Sequence, residues 1–501
     1  MKGAHIEQEN GAVTSVQADV PALSKQRDTQ SDAQRAFARA AQAELIEGNA
    51  VRLLKDAEEN YPAWLEAIRR AQHHIHFESY ALHNDEVGKE FAEALIAKAQ
   101  SGVSVRLIYD WFGGLGSASP VFWARLRSGG VEVRCYNPPG LDSPFSWISR
   151  DHRKMIEVDG EVGFIAGLCV GKPWVGNPEK GIAPWRDTGV EIRGAAVGEI
   201  GAAFAQVWAM LGDPLPVVNS AEPPVSAGDT QVRVVATVPM TAGISRVDEL
   251  VAALAKERLW LTDAYYAGMT SYVQALTSAA KAGVDVRLLV PGGSDIPLLR
   301  PISRAGYRPL LDAGIRVFEW NGSMLHAKTA VADGKWARVG SSNLNAWSWF
   351  GNCELDLVVE DERFGKEMEE MYLSDLENAT EIVLDPRNRV RSPKHGRPVA
   401  NQGGGSAGRA VSGTLRIGRA VSAALTNSRP FEPVEARILL ATALLLFGIA
   451  TLFWFYPKVL MYPVVVLAGW LGASLFYRSL KLYRRRFRNK KKPDKAIESM
   501  R

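Results

Sequence analysis

Cysteine is scarce. Cys135, Cys169 and Cys353 are odd in number and scattered over 501 residues, which argues against a disulfide framework and fits a reducing compartment. No Cys/His spacing of the metal-holding kind is present, and neither a metal nor another cofactor is expected. The polar stretch 1–44, rich in Gln, Ala and Asp, lacks the apolar core of a signal peptide and reads as a disordered arm running into a short helix. Net charge is also small: +4 by itself argues neither for nor against nucleic acid, which is not expected as a partner, and the basic excess sits at the C-terminal end. What remains is a large folded chain, whose 47% hydrophobic residues are ample for two or three cores.

Two copies of one short pattern stand out. The first is His152-Arg153-Lys154, then four residues and Asp159. The second is His326-Ala327-Lys328, then four residues and Asp333, followed by Gly340-Ser341-Ser342-Asn343. On an extended strand a His and a Lys two apart point to the same face. Each copy therefore sets a nucleophile or proton carrier beside a fixed positive charge. Brought together, the copies make a paired-His, paired-Lys pocket suited to a phosphate diester. Asp159 and Asp333 complete the motifs, but they fall too far along the strand to touch substrate. Each precedes a Gly, which favours a role in a turn.

The surroundings repeat as well. Strand Ile75–Tyr80, helix Phe91–Ala99 and strand Ser101–Ile108 in the first half match Leu259–Tyr265, Ser271–Lys281 and Ala282–Leu289 in the second. A further strand, Gly130–Cys135 or Gly314–Phe318, precedes each His motif. This alternation predicts an α/β fold of two similar lobes on a mostly parallel sheet, with the site on their seam. Asp187 and Glu354 each head an apolar strand after a His motif. A buried carboxylate accepting the Nδ1 proton of each His would fix its tautomer and leave Nε2 toward phosphorus. Ser341 and Asn343 can line the pocket as hydroxyl and amide donors, and Glu78 is placed with them. The first copy instead reads Ala166-Gly167-Leu168-Cys169, a departure that leaves His152 and Lys154 intact. His73, His74, His76 and His83 are assigned no chemistry.

These residues resemble the phospholipase D superfamily, whose signature is HxKx4D with a trailing GS or GG and Asn. More narrowly they resemble bacterial cardiolipin synthases of the two-motif type. The resemblance covers roughly residues 47–385. It includes Gly48-Asn49, Ile75 to Tyr80, Asp85-Glu86-Val87-Gly88 and Pro184-Trp185-Arg186-Asp187-Thr188. It implies a two-step displacement without metal, with His152 as nucleophile, His326 as acid and base, and Lys154 and Lys328 on the nonbridging oxygens. It further implies phosphatidylglycerol as donor and acceptor. A phospholipase D hydrolase would share every catalytic residue and use water instead. A nuclease of the same superfamily would have little use for a membrane hairpin, and two intact pairs argue against a scaffold without activity.

Charge-free apolar runs are found near the C-terminal end, at Ile438–Tyr456 and Val459–Tyr477. At about 1.5 Å per residue each reaches roughly 28 Å, close to the hydrocarbon thickness. With Arg478, Lys481, Arg484 to Arg486, Arg488 and Lys490 to Lys492 behind it, this pair predicts a hairpin in a bacterial inner membrane with the catalytic body in the cytoplasm. The expected organisation is a first lobe at 45–215, a second at 216–386, a Gly/Arg-rich linker at 387–436, the hairpin at 437–478 and a basic tail at 479–501.

Overall fold

The computed structural model describes residues 34–139, 148–216, 226–296, 299–384 and 390–391, with isolated positions between 447 and 477. Apart from those positions, the expected hairpin lies outside the described residues. Among the described residues no helix is long and apolar enough to cross a membrane.

The first lobe carries β1 (Ile46–Lys55), β2 (His74–Ser79), β3 (Ser104–Asp110), β4 (Glu132–Tyr136), β5 (Lys154–Val158), β6 (Val162–Ala166) and β7 (Thr188–Arg193). The second carries β8 (Thr230–Thr237), β9 (Arg258–Thr262), β10 (Asp285–Pro291), β11 (Arg316–Trp320), β12 (Thr329–Ala332), β13 (Trp336–Gly340), β14 (Glu354–Glu360), β15 (Ala379–Leu384) and β16 (Val390–Arg391). Their spatial order is β16-β15-β11-β10-β9-β12-β13-β14-β8-β1-β7-β6-β5-β2-β3-β4. Read outward from the β8–β1 junction, both halves have the same order, which is the internal repeat made physical. The second half adds β15 and β16, so Val390 and Arg391, expected in the linker, belong to the sheet edge.

The sheet is mixed, not mostly parallel. β2, β3 and β4 run parallel, as do β9, β10 and β11. β5, β6 and β7 return antiparallel, as do β12, β13 and β14. The cause is the Asp-Gly pair after each His motif. Asp159 and Gly160 have φ of 57° and 73°, and Asp333 and Gly334 have 51° and 62°, so each pair turns the chain into a hairpin instead of a crossover. Asp159 also accepts from the backbone N–H groups of Gln72, His73 and His74 at 2.6–2.8 Å. Asp333 does the same for Lys256, Glu257 and Arg258 at 2.9 Å. Both motif carboxylates thus tie down the start of the neighbouring strand and are structural, not catalytic. Asp159→Ala should lower stability by about 2 kcal/mol, less for Asp159→Asn. A thermal midpoint unchanged by the Ala substitution would mean the turn holds without the side chain.

One apolar cluster lies beneath the helices Asp56–Arg70 and Glu86–Gln100, and another beneath Gly243–Leu254 and Thr270–Lys281. A third joins the lobes, with Val190, Phe204 and Trp208 from one side packed together with Val234, Trp260, Leu355 and Tyr372 from the other. The lobes share a core, and so the seam between them is a rigid place to build a site. The end of the N-terminal arm docks on the second lobe: residues 34–41 are helical, Ala41 joins that lobe's cluster, and Gln34 donates to Glu360 at 2.6 Å.

Candidate active site

Each motif His sits just before its Lys, at the start of β5 or where the chain enters β12. Its backbone is fixed by the opposite lobe. His152 N–H donates to the Cys353 carbonyl at 2.9 Å, and His326 N–H donates to the Arg186 carbonyl at 2.7 Å. Cys353 and Arg186 each precede an orienting carboxylate, so the two carboxylates cross over. Glu354 accepts from His152 Nδ1 at 2.9 Å, and Asp187 accepts from His326 Nδ1 at 2.7 Å. Each His is therefore paired with the carboxylate that follows the other motif. A carboxylate at each Nδ1 favours the tautomer that carries its proton there and leaves Nε2 for chemistry, although Lys328 Nζ also lies 2.9 Å from His326 Nδ1.

The same geometry resolves the altered segment in the first copy. Ser341 does not line the pocket as a free donor. Its hydroxyl is buried and donates to Glu354 Oε2 at 2.6 Å. Gly167 takes the equivalent place in the first lobe, where a Cβ would stand 2.0 Å from Asp187 Oδ1. The missing donor is supplied from elsewhere, because the Trp174 indole N–H donates to Asp187 Oδ2 at 2.9 Å. Each carboxylate thus has three donors, Glu354 from His152, Ser341 and Asn352, and Asp187 from His326, Trp174 and the Thr188 N–H, although the sequences that provide them differ. Asn343 is buried, and its Oδ1 has no partner among the described residues.

Glu78 is a correction. It pairs across β2–β5 with Met155, while Ser79 pairs with Lys154, so Glu78 faces away from the lysine. It is fully buried near Asp151 and Arg153, and burial pushes its carboxyl up to about 7 against the pull of Arg153. Arg153, the middle residue of the motif, is itself a strut. It donates to the carbonyls of Glu354, Ala203 and Thr237 at 2.6–3.1 Å. Arg186 matches it on the other side, with a two-pronged pair to Asp375 at 2.8 Å for each bond.

Aromatic rings wall the site. Tyr80 lies edge-on to His152 at 5.2 Å, and Trp174, Trp185 and Tyr265 surround His326 at 5.6–5.7 Å. Lys154 and Lys328 stand 5.3 and 5.9 Å from the Tyr80 and Tyr265 ring centres. Their ammonium groups also donate to the carbonyls of His152 and His326. The motif spacing does not point to these rings, although the two tyrosines end the repeated strands Ile75–Tyr80 and Leu259–Tyr265. The site is unequal: the His152 side chain is 12% exposed and that of His326 6%.

Electrostatics follow from this packing. Burial and then Lys328 push His326 down to about 3, against the pull of Asp187. Burial likewise lowers His152, with Glu354 opposing. Burial would raise Asp187, yet His326 and Lys328 outweigh it and hold the carboxyl at about 2. Lys328 is pushed down to about 8 by burial, with Asp187 opposing and Lys154 adding to the fall. At neutral pH the free site thus holds two neutral imidazoles, two carboxylates and a concentration of ammonium charge. That is a receptor for an anion with an unprotonated nucleophile at its edge.

Known proteins carry the same features. A family model described as "Cardiolipin synthase, PLD-like domain" matches residues 64–171 and 251–376, one segment in each lobe. The chain is 33% identical over 339 residues to a cardiolipin synthase of Alkalihalophilus pseudofirmus, covering 66% of this chain and 67% of that protein. It is 33% identical over 363 residues to cardiolipin synthase A of Pseudomonas aeruginosa, covering 71% and 73%. The matches thus span about two thirds to three quarters of these relatives. Among solved structures, a phosphatidylserine synthase of Haemophilus influenzae shares the fold, with a TM-score of 0.57 at 15% identity over 70% of this chain and 91% of that one. With both His/Lys pairs seated on the seam of a doubled α/β fold, the chain belongs to the phospholipase D superfamily and, within it, to the cardiolipin synthase family.

Proposed function

We propose that the chain is a phosphatidyltransferase that joins two phosphatidylglycerol molecules into cardiolipin and releases glycerol. The observation that carries it is the crossed pairing of two Nδ1-anchored imidazoles around two lysines. His152, the more exposed ring, attacks phosphorus through Nε2 and forms a phosphatidyl-histidine. The anionic diester sits between Lys154 and Lys328 and cancels part of the field that keeps His326 neutral. His326 can then hold the proton that the departing glycerol needs, and it takes one back from the incoming alcohol.

The deciding experiment incubates purified full-length protein with labelled phosphatidylglycerol. Cardiolipin and free glycerol are expected. Phosphatidic acid alone would make the chain a hydrolase, and inert lipid with cleaved DNA would make it a nuclease.

The pH profile is also set. Activity needs Lys328 charged, so it should fall as pH rises through about 8. It should fall again at low pH as His152 gains a proton, at a point below the usual imidazole value. Lys328→Arg keeps the charge and should move the alkaline limb upward while slowing turnover. An unmoved limb would assign it to another group.

For location we propose a hairpin anchor at the inner membrane, supported by the two apolar runs and the basic flank behind them. A reporter fused after Arg501 should read as cytoplasmic. A periplasmic signal would reverse the orientation.

A further inference from the structure

On the other face of β5 the fold assembles a second constellation. His74 and His76 alternate along β2, so their rings leave the same face, with centroids 4.6 Å apart. Antiparallel pairing sets Glu157 of β5 directly opposite His76. His74 Nε2 lies 3.0 and 3.1 Å from the two Glu157 oxygens, and His76 Nδ1 lies 2.6 Å from Oε2. One ligand atom from each residue falls within 4.8 Å of the others. The arrangement is held from outside: the Gly160 N–H donates to Glu157 Oε1 at 2.6 Å, and the His76 ring stacks on Phe204 at 4.6 Å and 11°. His76 and Glu157 are buried, while His74 reaches solvent and leaves a way in.

We propose that His74, His76 and Glu157 form a binding site for a divalent transition metal of the zinc class, with water completing the sphere. Two imidazole nitrogens and one carboxylate oxygen are a zinc donor set, and bonds of about 2.0–2.2 Å in a tetrahedron separate ligand atoms by roughly 3.3 Å. The His74–Glu157 and His76–Glu157 spacings of 3.0 and 2.6 Å lie within an ångström of that, and the two ring nitrogens fall within 4.8 Å of each other. Magnesium and calcium prefer oxygen ligands and fit poorly. Glu157 lies three residues along β5 from Lys154 and on the opposite face, so the ion would touch no reacting atom. Its role is to clamp β2 to β5, behind the strand that carries the first Lys. This clamp was hidden in the sequence because a histidine pair two apart shows no third ligand until β5 is laid beside it.

The test uses full-length protein stripped with chelator, dialysed and titrated with zinc by calorimetry, with the thermal midpoint read in parallel. Roughly one zinc per chain and a rise in midpoint are expected, with no rise from magnesium at the same concentration. His74→Gln, at a partly exposed position, should weaken zinc binding about tenfold or more and abolish the rise. Glu157→Gln should do the same. The proposal fails if the wild-type chain shows no zinc-dependent shift, if magnesium shifts it equally, or if His74→Gln binds as tightly as the parent.

Discussion

Replacing either His152 or His326 by Ala should remove nearly all turnover, and the double variant should be little worse than the singles. In the proposed route each ring acts in both half-reactions, so losing one disables the whole cycle and the losses do not add. The cause is visible in how the rings are held. Each has its Nδ1 engaged by a carboxylate and its Nε2 left for chemistry, so neither has a spare nitrogen with which to cover for the other. Retention of more than about a tenth of the activity in either single variant, equal to roughly 1.4 kcal/mol of barrier, would refute the paired mechanism. The readout is initial rate on phosphatidylglycerol at fixed protein, with far-UV dichroism to show that each variant folds. A trapped phosphatidyl-enzyme lost in His152→Ala and retained in His326→Ala would fix which ring attacks.

Much of this is legible in the sequence. The repeat of strand, helix and strand around two His/Lys motifs predicted two lobes, because periodicity and spacing are local properties that a chain displays openly. The Asp-Gly turns were legible for the same reason, since a left-handed pair has few ways to be built. What stayed hidden was everything that depends on one lobe meeting the other. Glu354 and Asp187 could be read as orienting groups, but nothing local to either half says that each serves the opposite His. Ser341 looked like a pocket donor because its neighbours are pocket residues; its hydroxyl is instead consumed by Glu354. Gly167 reads as a loss in the sequence, but Trp174 supplies the donor that Ser341 supplies in the second lobe. Glu78 was misplaced for a simpler reason. A single residue of register decides which face of a strand a side chain takes, and only the pairing with Met155 fixes it.

The crossed carboxylates give the second large effect. Asp187→Asn should slow turnover by about three to four orders of magnitude and leave substrate binding nearly unchanged, because an amide can hold the ring but can present its NH2 and select the wrong tautomer. Glu354→Gln should act alike on the other ring. The two differ in which His they disturb. Asp187 raises the affinity of His326 for a proton, so Asp187→Asn should depress His326 further and leave His152 unmoved. Glu354→Gln should do the reverse, since Glu354 opposes the fall at His152. Nitrogen NMR of labelled histidine can separate the cases, with His152→Ala and His326→Ala to assign the signals. If Asp187→Asn moved the signal of His152 instead, each lobe would carry its own complete dyad, and the seam would only bring two sites close. If the crossing stands, neither lobe can orient its own nucleophile. Duplication of the motif is then a requirement of the chemistry, because each half supplies the carboxylate that the other half lacks.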